Sequence, residues 1–427
     1  MEQLERKSLV EIRLYQEAEL QKQLQLLNTY SPFYKSLFSK NKIDVTRIKT
    51  LEDLVHIPVT SKNNLQTNNW DFLCVPKNKI AEYCTTSGTT GTPITIALTE
   101  NDLGRLAYNE YLSFLKAGAT ADDTFQFMLS LDRQFMAGLA YYSGLRKLGA
   151  AIIRVGPGNV NMQMDTILRL HPTVLIAVPS FILNVISYAK EKNIELNSTS
   201  VKKIICIGEN IRNEDFSLNT LGERIVKDWQ VQLHSTYAST EKQTAFTECE
   251  HGKGGHHHAD LLIFEILDEK NKQLLPGEYG EMTITTLNVE GMPLLRYKTG
   301  DICTHYIESC KCGRNTARIS PIIGRKQQMI KYNGTSLYPQ AMFNILSDIP
   351  EVADYVIQVF KSEIGTDDIR INLALHDPAI KPDNKIKKAL QSTLRIVPTV
   401  SYVPLSQIKD MQTQDGNRKL VKLVDSR

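Results

Sequence analysis

The chain carries almost no surplus charge: 50 lysines and arginines against 47 acidic residues leave +3 over 427 residues. That is too little to argue for a nucleic-acid or membrane partner. A long apolar run is also missing. The richest stretch, Val174 to Ile186, is broken by Pro179 and is too short to span a bilayer. The start, Met1-Glu2-Gln3-Leu4-Glu5-Arg6-Lys7, mixes both signs and lacks the apolar core of a secretory signal. Cysteine is scarce and odd in number, at seven, so reduced thiols and a cytoplasmic home are expected. No internal repeat or low-complexity segment is evident. With 42% apolar and 23% charged residues the composition is that of a soluble globular protein. Its length exceeds one ordinary core, so two domains are expected.

Thr85-Thr86-Ser87-Gly88-Thr89-Thr90-Gly91-Thr92-Pro93 is the most informative stretch present. Its glycines let the backbone bend, and successive N–H groups with neighbouring hydroxyls form a nest for anions. Glu82-Tyr83-Cys84 reads as a strand end and Ile94 to Leu98 as the next strand. The unit is thus strand–loop–strand, and it has no lysine at the Walker position. An ordinary hairpin turn uses the same residue types.

Apolar spacing at Leu9, Ile12, Leu20 and Leu27 predicts amphipathic helices over residues 2–40. Ile57 to Lys62 reads as a turn into a capped helix. From Thr99 to Arg224, helical patterns alternate with short apolar strands: Thr124 to Leu129, Ala151 to Val155, Val174 to Val178 and Lys203 to Ile207. Solidly apolar strands between helices predict a largely parallel α/β sheet. Between Ile263 and Thr286 the texture becomes β-rich. A compact α+β unit follows, with helices at Pro339 to Leu346 and Asn384 to Leu394 and strands at Val352 to Phe360 and Ile369 to Leu375. Cys84 and Cys206 lie in strand-like runs and read as core.

Three further motifs follow in order: Tyr237-Ala238-Ser239-Thr240-Glu241, Tyr297-Lys298-Thr299-Gly300-Asp301 and Gly324-Arg325. A tail lysine, Lys419, completes the set. Glu241 beside phosphates would call for a bridging cation such as Mg²⁺. Alone, the Tyr237 motif also fits a helix N-cap with Glu in the first turn. Asp301, after a glycine, can accept both ribose hydroxyls, or be a plain turn aspartate. The order and spacing, from about Ser31 onward, resemble the adenylate-forming superfamily of acyl-CoA synthetases, peptide-synthetase adenylation domains and luciferases. Within it the match is to the phenylacetate–CoA ligase family.

The resemblance implies a large N-terminal adenylate-forming domain, 1–327, of mixed sheets with helices and a β-rich subdomain. It also implies a small mobile α+β lid, 328–427, hinged near Gln328. ATP-dependent activation of an aryl acid to its acyl-AMP, then thioester formation with coenzyme A, is the implied activity. Ser87, Gly88, Thr89, Thr90 and Gly91 would hold phosphates; Thr92 stands where relatives often have lysine, so weaker pyrophosphate binding is expected. Gly208 and Glu209 would frame the adenine, with Tyr237, Ala238 and Ser239 along the pocket. Thr240 would contact the α-phosphate, Glu241 would hold Mg²⁺ and Arg325 would face phosphate or ribose. Lys419 is the implied catalytic lysine, with Lys422 its rival. Lys331, Tyr332, Asn333 and Gly334 would line the coenzyme A path. Arg133 and Gln134, in a region aromatic and glycine-rich in relatives, leave the choice of acid open. An acyl carrier protein as acceptor, a non-catalytic nucleotide-binding protein and a homodimer all stay open.

Cys249, His256, Cys310 and Cys312 form a second constellation. Three soft sulfurs and an imidazole suit tetrahedral Zn²⁺, and a closed four-ligand set means structure rather than catalysis. Some phenylacetate–CoA ligase relatives share this pattern. His257 or His258 could replace His256, and a reduced cysteine pair with exposed histidines is the plain alternative.

Overall fold

Ser8 starts the first helix, α1 (Leu9–Tyr30), by a reciprocal capping box with Glu11. Ser31 ends it and at once caps α2 (Pro32–Lys40), whose proline fits the first turn. A second capping box, Ser61 with Asn64, opens α3 (Lys62–Thr67), so the turn into a capped helix is observed. In this computed structural model the described residues are 4–86, 93–332, 335–361, 367–394, 397–413 and 421–427, without the side chains of 335, 336 and 393.

They form two compact units: residues 4–86, 93–299 and 303–321 in one, and 300–302 with the residues from 322 on in the other. In the first, β1 (Ile80–Thr85) and β2 (Thr95–Thr99) pair antiparallel, the expected strand–loop–strand. The chain continues through α4 (Glu100–Lys116), β3 (Thr124–Phe127), α5 (Met136–Leu148), β4 (Ala151–Arg154), α6 (Val160–Leu170), β5 (Val174–Ala177), α7 (Pro179–Glu191), β6 (Lys203–Ile207), α8 (Thr220–Asp228) and β7 (Gln232–Ser239). Strands β4, β3, β5, β6 and β7 lie side by side and parallel.

Strand alternation sorts the core into two layers. Leu175, Ala177, Ile204 and Cys206 face Met164, Ile167, Ile182 and Val185 of α6 and α7. Their neighbours Val174, Ile176, Ile205 and Ile207 face Phe114, Tyr141 and Leu145 of α4 and α5. With both faces covered, these strands can be apolar throughout, and each of their Val, Leu and Ile side chains contributes roughly 1.5–3 kcal/mol on burial. Cys84 and Cys206 are fully buried, as expected of core residues.

Past β7 the sheet turns antiparallel. β8 (Thr244–Glu248), β9 (Gly255–His256), β14 (Arg318–Ile319) and β13 (His305–Tyr306) add in that spatial order. The β-rich stretch is the hairpin of β10 (Leu262–Leu267) and β11 (Gly280–Thr286). β12 (Tyr297–Cys303) passes residues 300–302 into the second unit, where they pair with β15 (Gly324–Arg325).

The second unit adds β16 (Ile330–Tyr332), β17 (Thr335–Leu337), α9 (Pro339–Ser347), β18 (Val352–Lys361), β19 (Asp367–Leu375), α10 (Asp383–Leu394), β20 (Thr399–Tyr402), α11 (Leu405–Gln412) and β21 (Leu423–Asp425). Its sheet runs β20-β19-β18-β21, with α9 and α10 packed through Met342, Leu346, Ile386 and Leu390 on one face. Ile408 of α11 packs against Val356 and Ala374 on the other. Among the described residues no helix is long and apolar enough to cross a membrane.

Candidate functional site

Ser87, Gly88, Thr89, Thr90, Gly91 and Thr92 lie outside the described residues, as do Asn333, Gly334 and Lys419. What is described are their anchors. β1 and β2 hold the two ends of the phosphate-loop candidate in antiparallel register, Thr85 opposite Thr95. Thr86 N–H donates to the Ile94 carbonyl at 3.0 Å, and Ile94 N–H to Thr86 Oγ1 at 3.0 Å.

Tyr237, Ala238 and Ser239 end β7, and Thr240 to Gln243 form the turn into β8. The motif is therefore strand and turn, and the helix N-cap alternative does not hold, because Tyr237 to Ser239 pair with Phe246 to Thr244. Sequence reasoning passed over what fixes this turn. Buried Arg105 of α4 donates to the carbonyls of Gln243 (2.7 Å), Leu261 (2.6 Å) and Leu287 (2.8 Å). Asn109 Oδ1 accepts from Ala245 N–H at 3.0 Å. Lys242, fully buried, sets its ammonium 3.5 Å from the Tyr237 ring centroid. Glu241 itself is half-exposed and makes no ion pair among the described residues.

Gly208 takes φ +78°, a left-handed turn straight off β6. The next residue, Glu209, accepts from Ser180 N–H at 2.8 Å and from its hydroxyl at 2.9 Å, at the first turn of α7. Arg133 and Gln134 are exposed at consecutive left-handed positions, φ 57° and 55°. Gln134 supplies the carbonyl that accepts from Thr85 N–H at 3.0 Å. Beside them a cleft of about 320 Å³ is lined by Leu98, Leu103, Leu106, Met136, Glu82 and Glu100 among others. Two carboxylates at its wall disfavour a carboxylate head group there.

In the second unit Asp301 and Arg325 are direct antiparallel partners, with Arg325 Nε 3.3 Å from Asp301 Oδ1. Directly opposed residues share a sheet face, so an acceptor suited to sugar hydroxyls and a donor suited to phosphate stand side by side. Lys331 N–H donates to Asp367 Oδ2 at 2.8 Å, and the Tyr332 hydroxyl to the Val397 carbonyl at 3.2 Å.

The cysteine–histidine constellation is brought together within the first unit. Cys249 follows β8, His256 is on β9, and Cys310 and Cys312 lie on the loop joining β13 to β14. Their ligand atoms all lie within 4.8 Å of one another. Cys249 Sγ is 3.7 Å from Cys310 Sγ, and Cys312 Sγ is 3.6 Å from His256 Nε2. Ligands at about 2.3 Å (S) and 2.0–2.1 Å (N) around a tetrahedral centre are separated by about 3.8 Å (S–S) and about 3.6 Å (S–N). A disulfide would need about 2.05 Å, so these sulfurs are unbridged, and their spacing is wide enough for the four atoms to share an ion. The neighbouring histidines face elsewhere. His257 Nε2 meets the Leu262 carbonyl, and His258 meets Ser113, Lys116 and Glu5. Burial lowers His256 to about 2, keeping the imidazole neutral as a ligand must be. Burial pushes Cys249 up to about 12. It works against Cys312 too, but hydrogen bonds from Arg314 and Cys310 draw that thiol below its ordinary value.

Glu5, on the short turn Leu4–Arg6, is 2% exposed and was not anticipated. Burial alone would raise its carboxyl. Lys116 at 2.7 Å and His258 at 3.2 Å outweigh this and hold it well below the carboxylate range.

Residues 28–291 match the family model of AMP-binding enzymes. The chain is 28% identical over 372 residues to a phenylacetate–coenzyme A ligase of Thermus thermophilus, covering 86% of this chain and 82% of the relative. It is 27% identical over 320 residues to the phenylacetate–coenzyme A ligase of Escherichia coli K12, covering 73% and 70%. Among solved structures, 2-hydroxyisobutyryl-CoA ligase in its postadenylation state shares the fold at a TM-score of 0.86 and 19% identity, over 100% of this chain and 92% of that one. ATP-bound MatB from Rhodopseudomonas palustris shares it at 0.62 and 16%, over 82% and 68%. With more than half its length inside the family model, and with strands that present Asp301 beside Arg325, this chain belongs to the AMP-binding enzyme family.

Proposed function

We propose that the chain is an ATP-dependent acid–CoA ligase that activates an aryl carboxylic acid, phenylacetate-like, as its adenylate. The observation that carries this reading is Asp301 set beside Arg325 in a chain with the AMP-binding match and phenylacetate–CoA ligase relatives. In the first half-reaction a carboxylate oxygen attacks the α-phosphorus, and the bond to pyrophosphate breaks. Ser87 to Gly91 hold the phosphates, Asp301 accepts the ribose hydroxyls, and Arg325 and Lys419 offset charge that develops in the transition state. Gly208, Glu209 and Tyr237 to Ser239 line the nucleotide pocket, with Thr240 on the α-phosphate. Thr92 supplies no cation, which weakens the hold on pyrophosphate. Glu241 suits Mg²⁺: it is a hard oxygen ligand, half-exposed and not committed to a basic side chain among the described residues. Bound there, the ion would offset the charge of the leaving group.

In the second half-reaction a thiol sulfur attacks the acyl carbon and AMP departs with the electron pair of the broken C–O bond. Residues 328–427 act as the lid, hinged at Gln328, and Lys331 to Gly334 guide the pantetheine arm. Cys249, His256, Cys310 and Cys312 hold a structural Zn²⁺, which the donor set and its spacing suit. Buried, unbridged Cys74, Cys84, Cys206 and Cys303 suit a reducing compartment.

The test is ATP–pyrophosphate exchange over a panel of aryl and short aliphatic acids without a thiol. Exchange with one aryl acid, followed by thioester formation on adding coenzyme A, is expected. Exchange confined to aliphatic acids would overturn the aryl assignment. Thioester formed only on a phosphopantetheinylated carrier protein would overturn the acceptor, and no exchange with any acid would sink the ligase reading.

A further inference from the structure

We infer that Glu5 and Arg314 are positioning residues for the metal centre, an outer layer that fixes Cys312 and straps the N-terminal segment to the ligand loop. The inference rests on reading Cys249, His256, Cys310 and Cys312 as a zinc site. Nothing in the adenylation chemistry uses either residue, yet both are nearly inaccessible, at 2% and 6% exposure. A buried charge persists only where it is paired and hydrogen-bonded.

The chain of contacts runs inward from the metal ligand. Arg314, two residues beyond Cys312, accepts at its carbonyl from Cys310 N–H at 3.0 Å, its charge favours the Cys312 thiolate, and its Nε reaches Glu5 Oε2 at 2.9 Å. Glu5 Oε1 lies 2.7 Å from the Lys116 ammonium. One carboxylate between two cations leaves one positive charge unmatched among these contacting groups. A divalent ion held by three thiolates and a neutral imidazole carries one net negative charge. The two match through Arg314, and the match exists only with the ion bound. His256 offers a contrast: its Nδ1 has no hydrogen-bond partner among the described residues. The outer hydrogen bonding that usually orients a metal-bound histidine is here placed on the Cys312 side.

Main-chain contacts complete the strap. Asn315 N–H donates to the Glu5 carbonyl at 2.8 Å, and Asn315 Nδ2 to the Lys7 carbonyl at 2.9 Å. Arg6 Nη1 donates to the Cys312 carbonyl at 3.1 Å. Gly313, at φ +80°, is the turn residue between them. A Cβ there would sit 2.6 Å from Arg6 Nη1, so glycine leaves the room the guanidinium occupies.

Zinc release from the full-length protein, purified without chelator, tests this. Protein is mixed with excess EDTA and its residual zinc read by mass spectrometry over time. Wild type should hold one zinc per chain and lose it slowly. Glu5→Gln should speed release about 10–100-fold, the range typical for outer-layer partners of metal ligands. Arg6→Ala, at an exposed residue and so safe for folding, should speed it by a smaller factor and decides the matter if Glu5→Gln does not fold. Cobalt-loaded variants should keep the wild-type absorption bands, since the four ligands are unchanged. Val185→Ala, in the α7 core, controls for general loss of stability and should leave release unchanged.

Release at wild-type speed in both variants overturns the inference while leaving the zinc reading intact. Equal acceleration by Val185→Ala also overturns it, because stability alone would then explain the effect. A wild-type protein without zinc overturns both.

Discussion

Arg325 stands directly across the strand pair from Asp301, Nε to Oδ1 at 3.3 Å, yet the two differ sharply in exposure. The aspartate side chain is 9% exposed and the arginine 53%. An ion pair with so exposed a partner adds little to stability. The carboxylate is buried on its strand, while the guanidinium reaches solvent. A buried acceptor next to an exposed donor suits a ligand that brings its own hydroxyls and phosphates.

Asp301→Asn should therefore leave the melting temperature within a degree or two and raise KM for ATP. One charged hydrogen-bond acceptor to the ligand is worth about 1.5–3 kcal/mol, or roughly ten- to a hundredfold. Arg325→Ala should act on turnover instead, lowering pyrophosphate exchange by about 10²–10³. Steady-state exchange against ATP concentration separates the two. If both variants shifted only KM, Arg325 would have no part in the transition state.

Removing one ligand of the cysteine–histidine cluster should lose the ion and weaken the first unit. Cys310→Ser and Cys312→Ser are expected to drop zinc content from one per chain to near zero, by elemental analysis. Thermal melts should fall in parallel, because binding free energy at a structural site is folding free energy. His257→Gln and His258→Gln should retain zinc, since these rings face Leu262 and the Glu5–Lys116 pair.

The parallel half of the sheet was legible in the sequence because its strands are covered on both faces, so runs such as Val174–Ala177 carry no polar interruption. The antiparallel extension was not. β9, β13 and β14 are two residues long, too short for any period to show, and the sheet closes only where Arg318 of β14 pairs with His256 of β9, far apart in sequence. The Tyr237 motif was found by its letters, but its local structure was open. A strand ending in Ser-Thr-Glu and a helix cap share residue types, and only pairing with Phe246 decides. The four candidate metal ligands were legible from chemistry, whereas singling out His256 among three adjacent histidines needed the contacts of its neighbours. Glu5, Lys116 and Arg314 gave no signal in the sequence, because each is buried by residues distant along the chain.

Glu110 gives a pH dependence of definite sign. It lies fully inside α4 where Gly144 of α5 packs against it. Asn109 Nδ2 donates to one oxygen at 2.9 Å, and the other has no partner among the described residues. Burial raises its carboxyl from 4.5 to about 8. Between those values the folded chain holds a proton that the unfolded chain has released, so stability falls as pH rises through that window. The full effect is of order 3–5 kcal/mol. Denaturant titrations of wild type and Glu110→Gln at pH 5 and pH 8 check this. The variant should gain on wild type toward pH 8, and an equal difference at both pH values would show that Glu110 does not titrate there.

The last expectation separates two lysines. Lys422 precedes β21, whose residues pair in parallel with β18, and its carbonyl accepts from Ile357 N–H at 2.9 Å. Its ammonium sits 4.9 Å from the Tyr355 ring centroid, a contact worth about 0.5–1 kcal/mol. A lysine held by its own sheet and ring stabilises the small unit and is poorly placed to travel to a phosphate. Lys419, three residues earlier, is the proposed catalytic ammonium. Lys419→Ala should depress the first half-reaction by about 10²–10³ with little change in melting temperature. Lys422→Ala should do the reverse, lowering the melt slightly and keeping most of the exchange. Thioester formation from chemically prepared acyl-adenylate should survive in both, because a charge-offsetting lysine on the α-phosphate serves the step in which pyrophosphate leaves. Exchange lost in Lys422→Ala and kept in Lys419→Ala would transfer the role to Lys422.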